Sequence, residues 1–331
     1  MNIRNKFFNE DCIDGCKKYF ADESIDLIIT DPPYGINGDK LHQHYNRKED
    51  FVIDEYVEIP ADKYEDFSLK WITQAERILK PGGSIYIISG YTNLYYILKA
   101  LKNTRLKELN HIIWKYNFGV YTKRKYVSSH YHILFYVKPG TRHTFNTFSR
   151  YGTHERTESG GSSNYKDRED VWIINREYKP GEMKNKNQLP EALLKKMIQY
   201  SSNEGDLVCD LFLGSFSTAK VAIGMNRDAA GFEINKKAFS YQIKKIKQIK
   251  PGNLLKEIKS SEKFYLSNQG KPWTEQEKIK MRNRYYELRK KVNTKKSAIE
   301  ILSREMGRGH FSLNKELKKN EKKSVQCEMK F

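Results

Sequence analysis

Residues Ser24–Gly35, with the sequence SIDLIITDPPYG, carry the clearest indication of the fold. Its apolar part, SIDLIIT, predicts a buried strand, and the two prolines end that strand because proline has no amide hydrogen to donate to a sheet. Polar residues that directly follow a buried strand lie at the edge where open α/β sheets bind ligands. We therefore expect Asp31, Pro32, Pro33 and Tyr34 to form part of a functional site.

Strands and helices alternate along the chain around this stretch. Short apolar runs predict the strands, and apolar residues at helical spacing predict the helices. The predicted strands are Ser24–Thr30, Ser84–Ser89, His111–Trp114, His132–Val137, Asp206–Leu211 and Ala229–Ile234, and the predicted helices are Tyr64–Leu79, Leu94–Leu101, Ser217–Gly224 and one that begins at Pro190. This alternation predicts an α/β fold with a mostly parallel sheet flanked by helices.

The residues after the first strand suit an exocyclic amino group. An ionised Asp31 accepts one of its N–H hydrogen bonds, and the carbonyl of Pro32 accepts the other. These bonds push electron density onto the nitrogen and favour its attack on an electrophile. Tyr34 can stack on a heterocycle that has left its duplex. A strand-ending turn with a capping aspartate is the alternative.

A second segment with ligand-binding character is Asp210–Thr218, DLFLGSFST. It has the pattern of a strand, a glycine-containing loop and a helix start, where backbone N–H groups bind polar ligands and Gly214 permits close approach. Glu233 ends the next predicted strand and suits ribose hydroxyls. Because the segment has one glycine and not the GxGxxG pattern, it is weakly specific on its own.

The charge of the chain is segregated. Its 331 residues include 60 Lys and Arg and 41 Asp and Glu, a formal net charge of +19. Residues 241–331 contribute +15, residues 115–168 contribute +7, and the remainder carries −3. Two basic regions on a nearly neutral body favour a polyanionic partner, most simply nucleic acid. A generally basic protein is the alternative.

The sequence also bears on location. No run approaches the 18 apolar residues of a membrane span, and residues 1–8 contain no apolar signal segment. The four cysteines, Cys12, Cys16, Cys209 and Cys327, include no CxxC pair. We therefore expect a cytoplasmic protein without bound metal or membrane contact.

Two segments carry a family resemblance. ITDPPYG at Ile29–Gly35 and DLFLGSFST at Asp210–Thr218 resemble the amino-methyltransferase motif and the S-adenosylmethionine motif of DNA methyltransferases, in the order of the β-class enzymes. Collinear blocks such as IIWKYN at Ile112–Asn117 and NQLPEALLKKMI at Asn187–Ile198 extend the similarity over residues 9–241. The resemblance implies a Rossmann-like methyltransferase fold, S-adenosylmethionine as cofactor, site-specific methylation of DNA, and a location in a prokaryotic cell or phage-infected host.

The resemblance also assigns residues to roles. Asp31, Pro32, Pro33 and Tyr34 would be catalytic and would hold the flipped base. The cofactor-binding positions would be Asp11, Cys12, Asp31, Asn187, Gln188, Asp210, Phe212, Gly214, Ser215, Ser217, Thr218 and Glu233. Phe216 departs from the family because it replaces the second glycine of an FxGxG loop. If that position requires a positive φ, phenylalanine costs about 1–2 kcal/mol there.

Two basic segments are predicted to contact double-stranded DNA. Residues 114–126, WKYNFGVYTKRKY, interleave cations with aromatic rings, and residues 138–170 correspond by resemblance to an inserted target-recognition region. The predicted contacts are Lys115, Tyr121, Lys123, Arg124, Lys125, Arg142, Arg150 and Arg156. For each arginine, a solvated loop residue is the alternative.

A domain boundary is predicted near Pro251, giving a catalytic domain of residues 1–250 and a basic helical extension of residues 251–331. Thr274 and Glu277 predict a capping box at the start of a helix. Three short helices with a glycine-containing turn resemble a helix-turn-helix module. A basic tail that adds phosphate contacts or a subunit interface is the alternative.

The expected reaction is direct in-line methyl transfer to N6 of adenine in a flipped base. N4 of cytosine is an alternative because some cytosine enzymes share DPPY, and a catalytically inactive DNA-binding homologue is another. Methyltransferases for RNA or protein amides usually have the two motifs in reverse order. A homodimer, a cognate restriction endonuclease and the recognition sequence stay open.

Overall fold

The computed structural model describes residues 2–35, 59–117, 119, 121–176, 188–260, 268, 271–292 and 294–328. It divides the chain into two compact units, Met1–Ser261 and Glu262–Phe331. The division follows Ser261 and not Pro251, because the intervening residues turn back onto the first unit. The amide of Leu254 donates to the carbonyl of Gly224 (2.8 Å), and Gln199 Nε2 donates to the carbonyl of Lys259 (3.0 Å).

Eight strands among the described residues form one sheet. They are β1 Lys6–Phe8, β2 Ile25–Thr30, β3 Leu79–Ser89, β4 Lys107–Lys115, β5 His130–Val137, β6 Val171–Ile173, β7 Leu207–Asp210 and β8 Asp228–Phe232. Their order is β1-β8-β7-β2-β3-β5-β4-β6. Strand β5 is antiparallel to both of its neighbours, and the other adjacent pairs are parallel. The predicted mostly parallel α/β sheet is confirmed.

Helices cover both faces of the sheet. The α-helices in the described residues of this unit are α1 Cys12–Tyr19, α2 Tyr64–Ile78, α3 Leu94–Lys102, α4 Ser163–Asp167, α5 Glu191–Ser201, α6 Ser217–Gly224 and α7 Lys236–Ile246, and a 3-10 turn at Ala61–Lys63 precedes α2. Strand β2 is apolar on both sides because its residues alternate between two cores. Leu27 and Ile29 belong to the core that includes α5 and α6, and Ile28 belongs to the core that includes α1, α2 and α3.

Residues 138–170, predicted to be an inserted loop, pack beside the sheet and α5. The ring of Phe145 stacks on Tyr200 of α5, with centroids 5.2 Å apart, and lies 6.3 Å from Phe135 of β5. Arg150 pairs with Asp167 (2.8 Å). Much of this stretch therefore serves as a structural cover for the sheet.

In its described residues, the second unit has three helices around a small core. The helices are α8 Glu275–Lys291, α9 Lys295–Met306 and α10 His310–Glu328. The core residues are Met281, Tyr285, Leu288, Ala298, Ile299, Leu302, Leu313 and Leu317. A capping box between Thr274 and Glu277 starts α8, as the sequence predicts. None of the helices in the described parts of either unit is long and apolar enough to cross a membrane.

Candidate active site

The candidate site lies where two neighbouring parallel strands end. From β2 the chain continues to one side of the sheet, through β3, and from β7 it continues to the other, through β8, which makes the β2–β7 boundary the switch point of the sheet. The hydroxyl of Thr30 at the end of β2 donates to Asp210 Oδ1 at the end of β7 (3.1 Å). The two motifs that the sequence singled out therefore meet at one edge.

Side chains from outside the motif fix the Asp31–Tyr34 segment. The hydroxyl of Tyr64, at the start of α2, donates to the carbonyl of Pro33 (2.8 Å). Asn93 Nδ2, just before α3, donates to the carbonyl of Tyr34 (2.5 Å). Within the described part of the chain, the carbonyl of Pro32 accepts no hydrogen bond. Pro32 therefore retains the acceptor that an amino group requires.

Glycine is required directly after this segment. Gly35 has a φ of +61°, and a Cβ atom there would lie 2.4 Å from the ring of Tyr64 and 2.8 Å from Asn93 Nδ2. Any other residue would push away the two side chains that hold the Pro33 and Tyr34 carbonyls. Gly35 thus preserves the geometry of the motif.

The carboxyl group of Asp31 is partly buried and electrostatically tuned. Burial raises its pKa to about 7, the negative charge of Asp210 adds to the rise, and a hydrogen bond from Tyr34 and the positive charge of Arg176 oppose it. The hydroxyl of Tyr34 donates to Asp31 Oδ1 at 2.6 Å. The group is thus poised to change charge near neutral pH while its second oxygen can accept an N–H.

Aromatic rings stand beside this carboxyl group. Tyr34 stacks on Tyr131 of β5 with centroids 5.6 Å apart and planes 22° apart. Trp114 and Tyr116, at the end of β4, lie 5.6 and 5.4 Å from Tyr131. The guanidinium of Arg176 covers Tyr116 at 4.8 Å and Tyr131 at 5.2 Å. The site therefore combines a carboxylate with flat faces on which a heterocycle can stack.

The loop after β7 is tied to the end of β8. The amide of Gly214 donates to Glu233 Oε2 and the amide of Asn235 donates to Glu233 Oε1, both at 2.7 Å. Burial raises the pKa of Glu233, and these two bonds oppose the rise. Each carboxylate oxygen keeps a further lone pair, so Glu233 can fix the loop and still accept a ribose hydroxyl.

Phe216 adopts the left-handed backbone conformation, which is the case for which the sequence predicts a cost in strain. Its φ is 59° and its ψ is 22°, and it immediately precedes α6. The side chain is fully buried, with its ring 5.3 Å from that of Phe7 and 5.9 Å from that of Phe239. Burial of an aromatic ring outweighs the cost of about 1–2 kcal/mol for the positive φ, because removing a core phenylalanine typically costs about 3–5 kcal/mol.

The other residues of this loop are buried and mutually bonded. Ser215 Oγ and Ser217 Oγ are 2.7 Å apart. Asp210 is buried, and burial raises its pKa to about 6, although hydrogen bonds from the Phe212 amide and from the hydroxyls of Thr218 and Thr30 oppose the rise. The loop is therefore held in place by its own polar groups.

The remaining cofactor candidates differ in setting. Asp11 caps α1 by accepting from the amides of Ile13 and Asp14, and Cys12 is buried in the core. Phe212 packs edge-on against Trp71 at 5.6 Å. Gln188 is exposed, and Asn187 lies outside the described residues.

The predicted DNA contacts separate into two groups. The first group lies at the same sheet edge as Asp31. It consists of Lys115, at the end of β4, and of the exposed residues Tyr121, Lys123, Arg124 and Lys125 that follow it. The second group lies in the 138–170 cover and includes Arg142. Arg142 lies against Gly82 of β3, which is five residues before Ile87, and Ile87 pairs with Thr30, the residue before Asp31. That separation is about 16 Å along the strand, toward the opposite edge.

Two other arginines also lie in the 138–170 cover. Arg150 donates to Asp167 and Gln199, both at 2.8 Å, and its side chain is 17% exposed, so it stabilises the cover. Arg156 is exposed and donates to the carbonyls of Thr153 and Glu155. The first group is therefore better placed for a base held at Asp31.

The sequence did not single out Tyr64, Asn93, Tyr131 or Arg176 as site residues. Each comes from a separate element and reaches the motif only through the fold. The sequence carried a signal for one of these residues. Tyr131 continues the apolar alternation of a predicted strand, and the predicted strand before it in the chain contains Trp114.

The site thus places two carboxylates, Asp31 and Asp210, and a group of aromatic rings at the switch point of a mostly parallel sheet. The profile of the N6_N4_Mtase family, described as DNA methylase, matches residues 25–245. The chain belongs to this family. It covers two thirds or more of both curated relatives described next.

Two relatives are similar in sequence. Type II methyltransferase M.HpaI from Haemophilus parainfluenzae is 35% identical over 226 residues, which cover 66% of this chain and 67% of the relative. DNA adenine methyltransferase YhdJ from Escherichia coli (strain K12) is 35% identical over 271 residues, which cover 72% and 87%.

Two solved structures are similar in fold. The M1.HpyAVI–SAM complex has a TM-score of 0.53 at 22% identity and covers 73% of this chain and 98% of that chain. The cytosine-N4-specific PvuII DNA methyltransferase has a TM-score of 0.53 at 16% identity and covers 78% and 95%. These likenesses confirm the methyltransferase fold.

Proposed function

We propose that this protein transfers the methyl group of S-adenosylmethionine to N6 of adenine in double-stranded DNA. One observation carries the proposal: Asp31 and the Pro32 carbonyl offer two acceptors beside the stacked rings of Tyr34 and Tyr131. An exocyclic amino group has two N–H donors to match them, and a base can reach them once it leaves the duplex stack.

The residues of the chain would divide the work. Asp31 and the Pro32 carbonyl orient the amino nitrogen, and Tyr34 and Tyr131 provide surfaces for the ring. Gly214, Ser215, Ser217, Thr218 and Glu233 would hold S-adenosylmethionine, which supplies a methyl group on a positively charged sulfur. The nitrogen would bond to the methyl carbon while the S–C bond breaks, and the sulfur would keep that electron pair as a neutral thioether. The nitrogen would release one proton, along the N–H bonded to Asp31, to the ionised carboxylate and from there to solvent.

No cysteine nucleophile is needed for this transfer. Cys209 is fully buried, and burial raises the pKa of its thiol well above the ordinary value. Cys12 is likewise buried, with a raised pKa. Such thiols stay protonated and unreactive.

Adenine is proposed over cytosine on the strength of the sequence relatives. YhdJ is a DNA adenine methyltransferase, 35% identical to this chain, whereas the cytosine-N4-specific PvuII enzyme is 16% identical. N4 of cytosine presents the same two donors and is the competing substrate. A cytoplasmic location, a cognate restriction endonuclease and a homodimer stay predictions that accompany this function.

The test uses S-adenosylmethionine with a labelled methyl group and duplex DNA, followed by digestion to nucleosides. We expect label in N6-methyl-2′-deoxyadenosine and, at saturating S-adenosylmethionine, at least a hundredfold loss of methyl transfer in Asp31→Ala. Label in N4-methylcytosine would overturn the base assignment. No transfer by the wild type, together with unchanged DNA binding in Asp31→Ala, would indicate an inactive DNA-binding homologue.

A further inference from the structure

The second unit has a rigid turn that methyl transfer does not use. Helix α9 ends at Gly307, whose φ of 60° is left-handed, and α10 begins at His310. The connection between the two helices is therefore a tight turn, as in helix-turn-helix modules. The contacts within the unit show that the turn is fixed.

Arg308 anchors this turn. Its side chain is buried and its guanidinium donates to the carbonyls of Lys271 (2.6 Å) and Pro272 (2.9 Å) and to Glu277 Oε2 (2.9 Å). It also covers the ring of Trp273 at 4.2 Å. The turn is thereby bound to the start of α8, so that α10 has a defined direction within its unit.

Helix α10 has a buried side and an exposed side. Leu313 and Leu317 lie in the core of the unit, and Trp273 Nε1 donates to Ser312 Oγ (2.9 Å). The opposite side, which we call the α10 face, consists of Phe311, Asn314, Lys315 and Lys318. The spacing of these four residues places them on one stripe of a helix. Phe311 is 83% exposed, an unusual position for a phenylalanine.

The charge of the unit suits a polyanion. Residues 262–331 include 19 Lys and Arg and 9 Asp and Glu, a net charge of +10. Lysines of the α10 face, Lys315 and Lys318, are exposed and can neutralise phosphates. Phe311 can contact a thymine methyl group, and an asparagine such as Asn314 can pair with adenine in the major groove.

We propose that α10 is a recognition helix that enters the major groove of duplex DNA through the α10 face. The proposal deepens the proposed function, because it gives the same DNA substrate a second, sequence-reading contact. It is nevertheless measured by DNA binding without methyl transfer, so the two can fail separately.

The first experiment compares two double variants of the full chain. Lys315→Ala/Lys318→Ala changes the α10 face, and Lys280→Ala/Lys290→Ala removes the same charge from exposed positions of α8. Affinity for a labelled 30-bp duplex is measured by fluorescence anisotropy at several salt concentrations. We expect the α10 variant to bind about tenfold or more weakly and its salt slope to fall by about 2, one for each lysine. The α8 variant is expected to stay within about twofold of the wild type.

Equal losses in both variants would show that bulk charge and not the α10 face binds DNA, and would overturn the proposal. So would unchanged DNA affinity accompanied by a change from dimer to monomer in light scattering, since the face would then join two copies of the chain. Circular dichroism melting confirms that each variant is folded.

The second experiment selects duplexes from a randomised pool with the wild type and with Phe311→Ala. We expect the wild type to enrich a site with at least one thymine position at which Phe311→Ala loses its preference. Identical enriched sites would overturn base reading by the α10 face. If the wild type shows these binding effects but transfers no methyl group, the proposed function fails while this inference stands.

Discussion

At the scale of single residues, the site depends on how each polar group of the motif is occupied. The hydroxyl of Tyr34 donates to one oxygen of Asp31. The hydroxyl of Tyr64 donates to the Pro33 carbonyl, and Asn93 Nδ2 donates to the Tyr34 carbonyl. These bonds leave the second oxygen of Asp31 and the Pro32 carbonyl for substrate. Tyr64 and Asn93 are therefore positioning residues, which act through the backbone of the motif.

The first prediction concerns the hydroxyl of Tyr64. Tyr64→Phe removes the donor to the Pro33 carbonyl and leaves a partly buried acceptor unpaired, which costs about 1–3 kcal/mol. Because the substrate meets a less ordered motif, we expect kcat to fall about tenfold or more while the Kd for S-adenosylmethionine stays within about twofold. Rapid-quench methyl transfer and calorimetric titration measure the two quantities.

The matched control is Tyr136→Phe, which removes a hydroxyl that donates to Glu108 Oε2 (2.7 Å) within the β4–β5 pair. It should lower the free energy of unfolding by about 0.5–1.5 kcal/mol, the usual net contribution of one hydrogen bond, without changing kcat. A parallel fall of kcat in both variants would mean that general destabilisation is responsible.

The second prediction concerns the pH dependence of Asp31. Burial raises its pKa from 3.8 to about 7, so the carboxyl group is mostly protonated below neutral pH and ionised above it. Because the ionised form accepts the amino N–H best, kcat/KM should rise about tenfold per pH unit below about 7 and level off above it. Between about pH 4 and 7 the folded protein holds a proton that the unfolded chain has released, so this group's contribution to stability falls as pH rises.

Asp210→Asn provides the control for this pH profile. It removes a negative charge that raises the pKa of Asp31, so the midpoint should move to lower pH at saturating cofactor. A profile that is flat between about pH 5.5 and 8.5 would contradict the assignment of the titrating group to Asp31.

At the scale of elements, the loop before α6 balances strain against burial. The positive φ of Phe216 is unfavourable, yet the ring fills the space between β1 and α7, near Phe7 and Phe239. Burial outweighs the strain, and this explains how the chain tolerates phenylalanine at the second glycine position of the FxGxG motif that the loop resembles.

The third prediction separates these two contributions. Phe216→Ala should lower the free energy of unfolding by about 3–5 kcal/mol, because it opens a cavity and keeps a side chain at positive φ. Phe216→Gly opens a slightly larger cavity but removes the strain, so it should be more stable than Phe216→Ala by up to about 1 kcal/mol. Urea denaturation measures both. A glycine variant less stable than the alanine variant would show that the backbone is not strained.

The sequence predicted long apolar elements well and short ones poorly. Strand β2 was evident because it is a continuous apolar run ended by proline, whereas β1, Lys6–Phe8, and β6, Val171–Ile173, have three residues each and pair only in the folded sheet. The 138–170 cover had a polar composition typical of a loop. Its contacts with the sheet and with Tyr200 depend on partners distant in sequence, such as Phe145 and Arg150.

In the site, too, residues of local motifs could be predicted more readily than residues that act through long-range contacts. Asp31, Tyr34, Gly214 and Glu233 belong to local motifs with a chemical meaning, and the structure brings their two segments together at one edge. Arg176 could not be inferred, and the sequence carried only a weak signal for Tyr131, because the relevance of both arises from stacking between separate elements.

At the scale of the whole molecule, charge and packing divide the chain at nearly the same place. The basic residues 262–331 form a unit with its own apolar core, and residues 251–260 belong to the first unit through Leu254 and Lys259. A truncation therefore has different consequences on either side of residues 251–260.

The fourth prediction compares a chain that ends at Ser261 with one that ends at Lys250. The chain that ends at Ser261 keeps both cores of the first unit and should bind S-adenosylmethionine with a Kd within about twofold of the full chain. Its affinity for duplex DNA should fall strongly, and so should the salt dependence, because many phosphate-neutralising cations are lost. The chain that ends at Lys250 also lacks Leu254, whose side chain lies against Gly224 of α6. It should be less stable than the chain that ends at Ser261 by about 2–4 kcal/mol. Calorimetric cofactor titration, fluorescence anisotropy and thermal melting measure these effects, and a loss of cofactor binding at Ser261 would show that the two units are not independent.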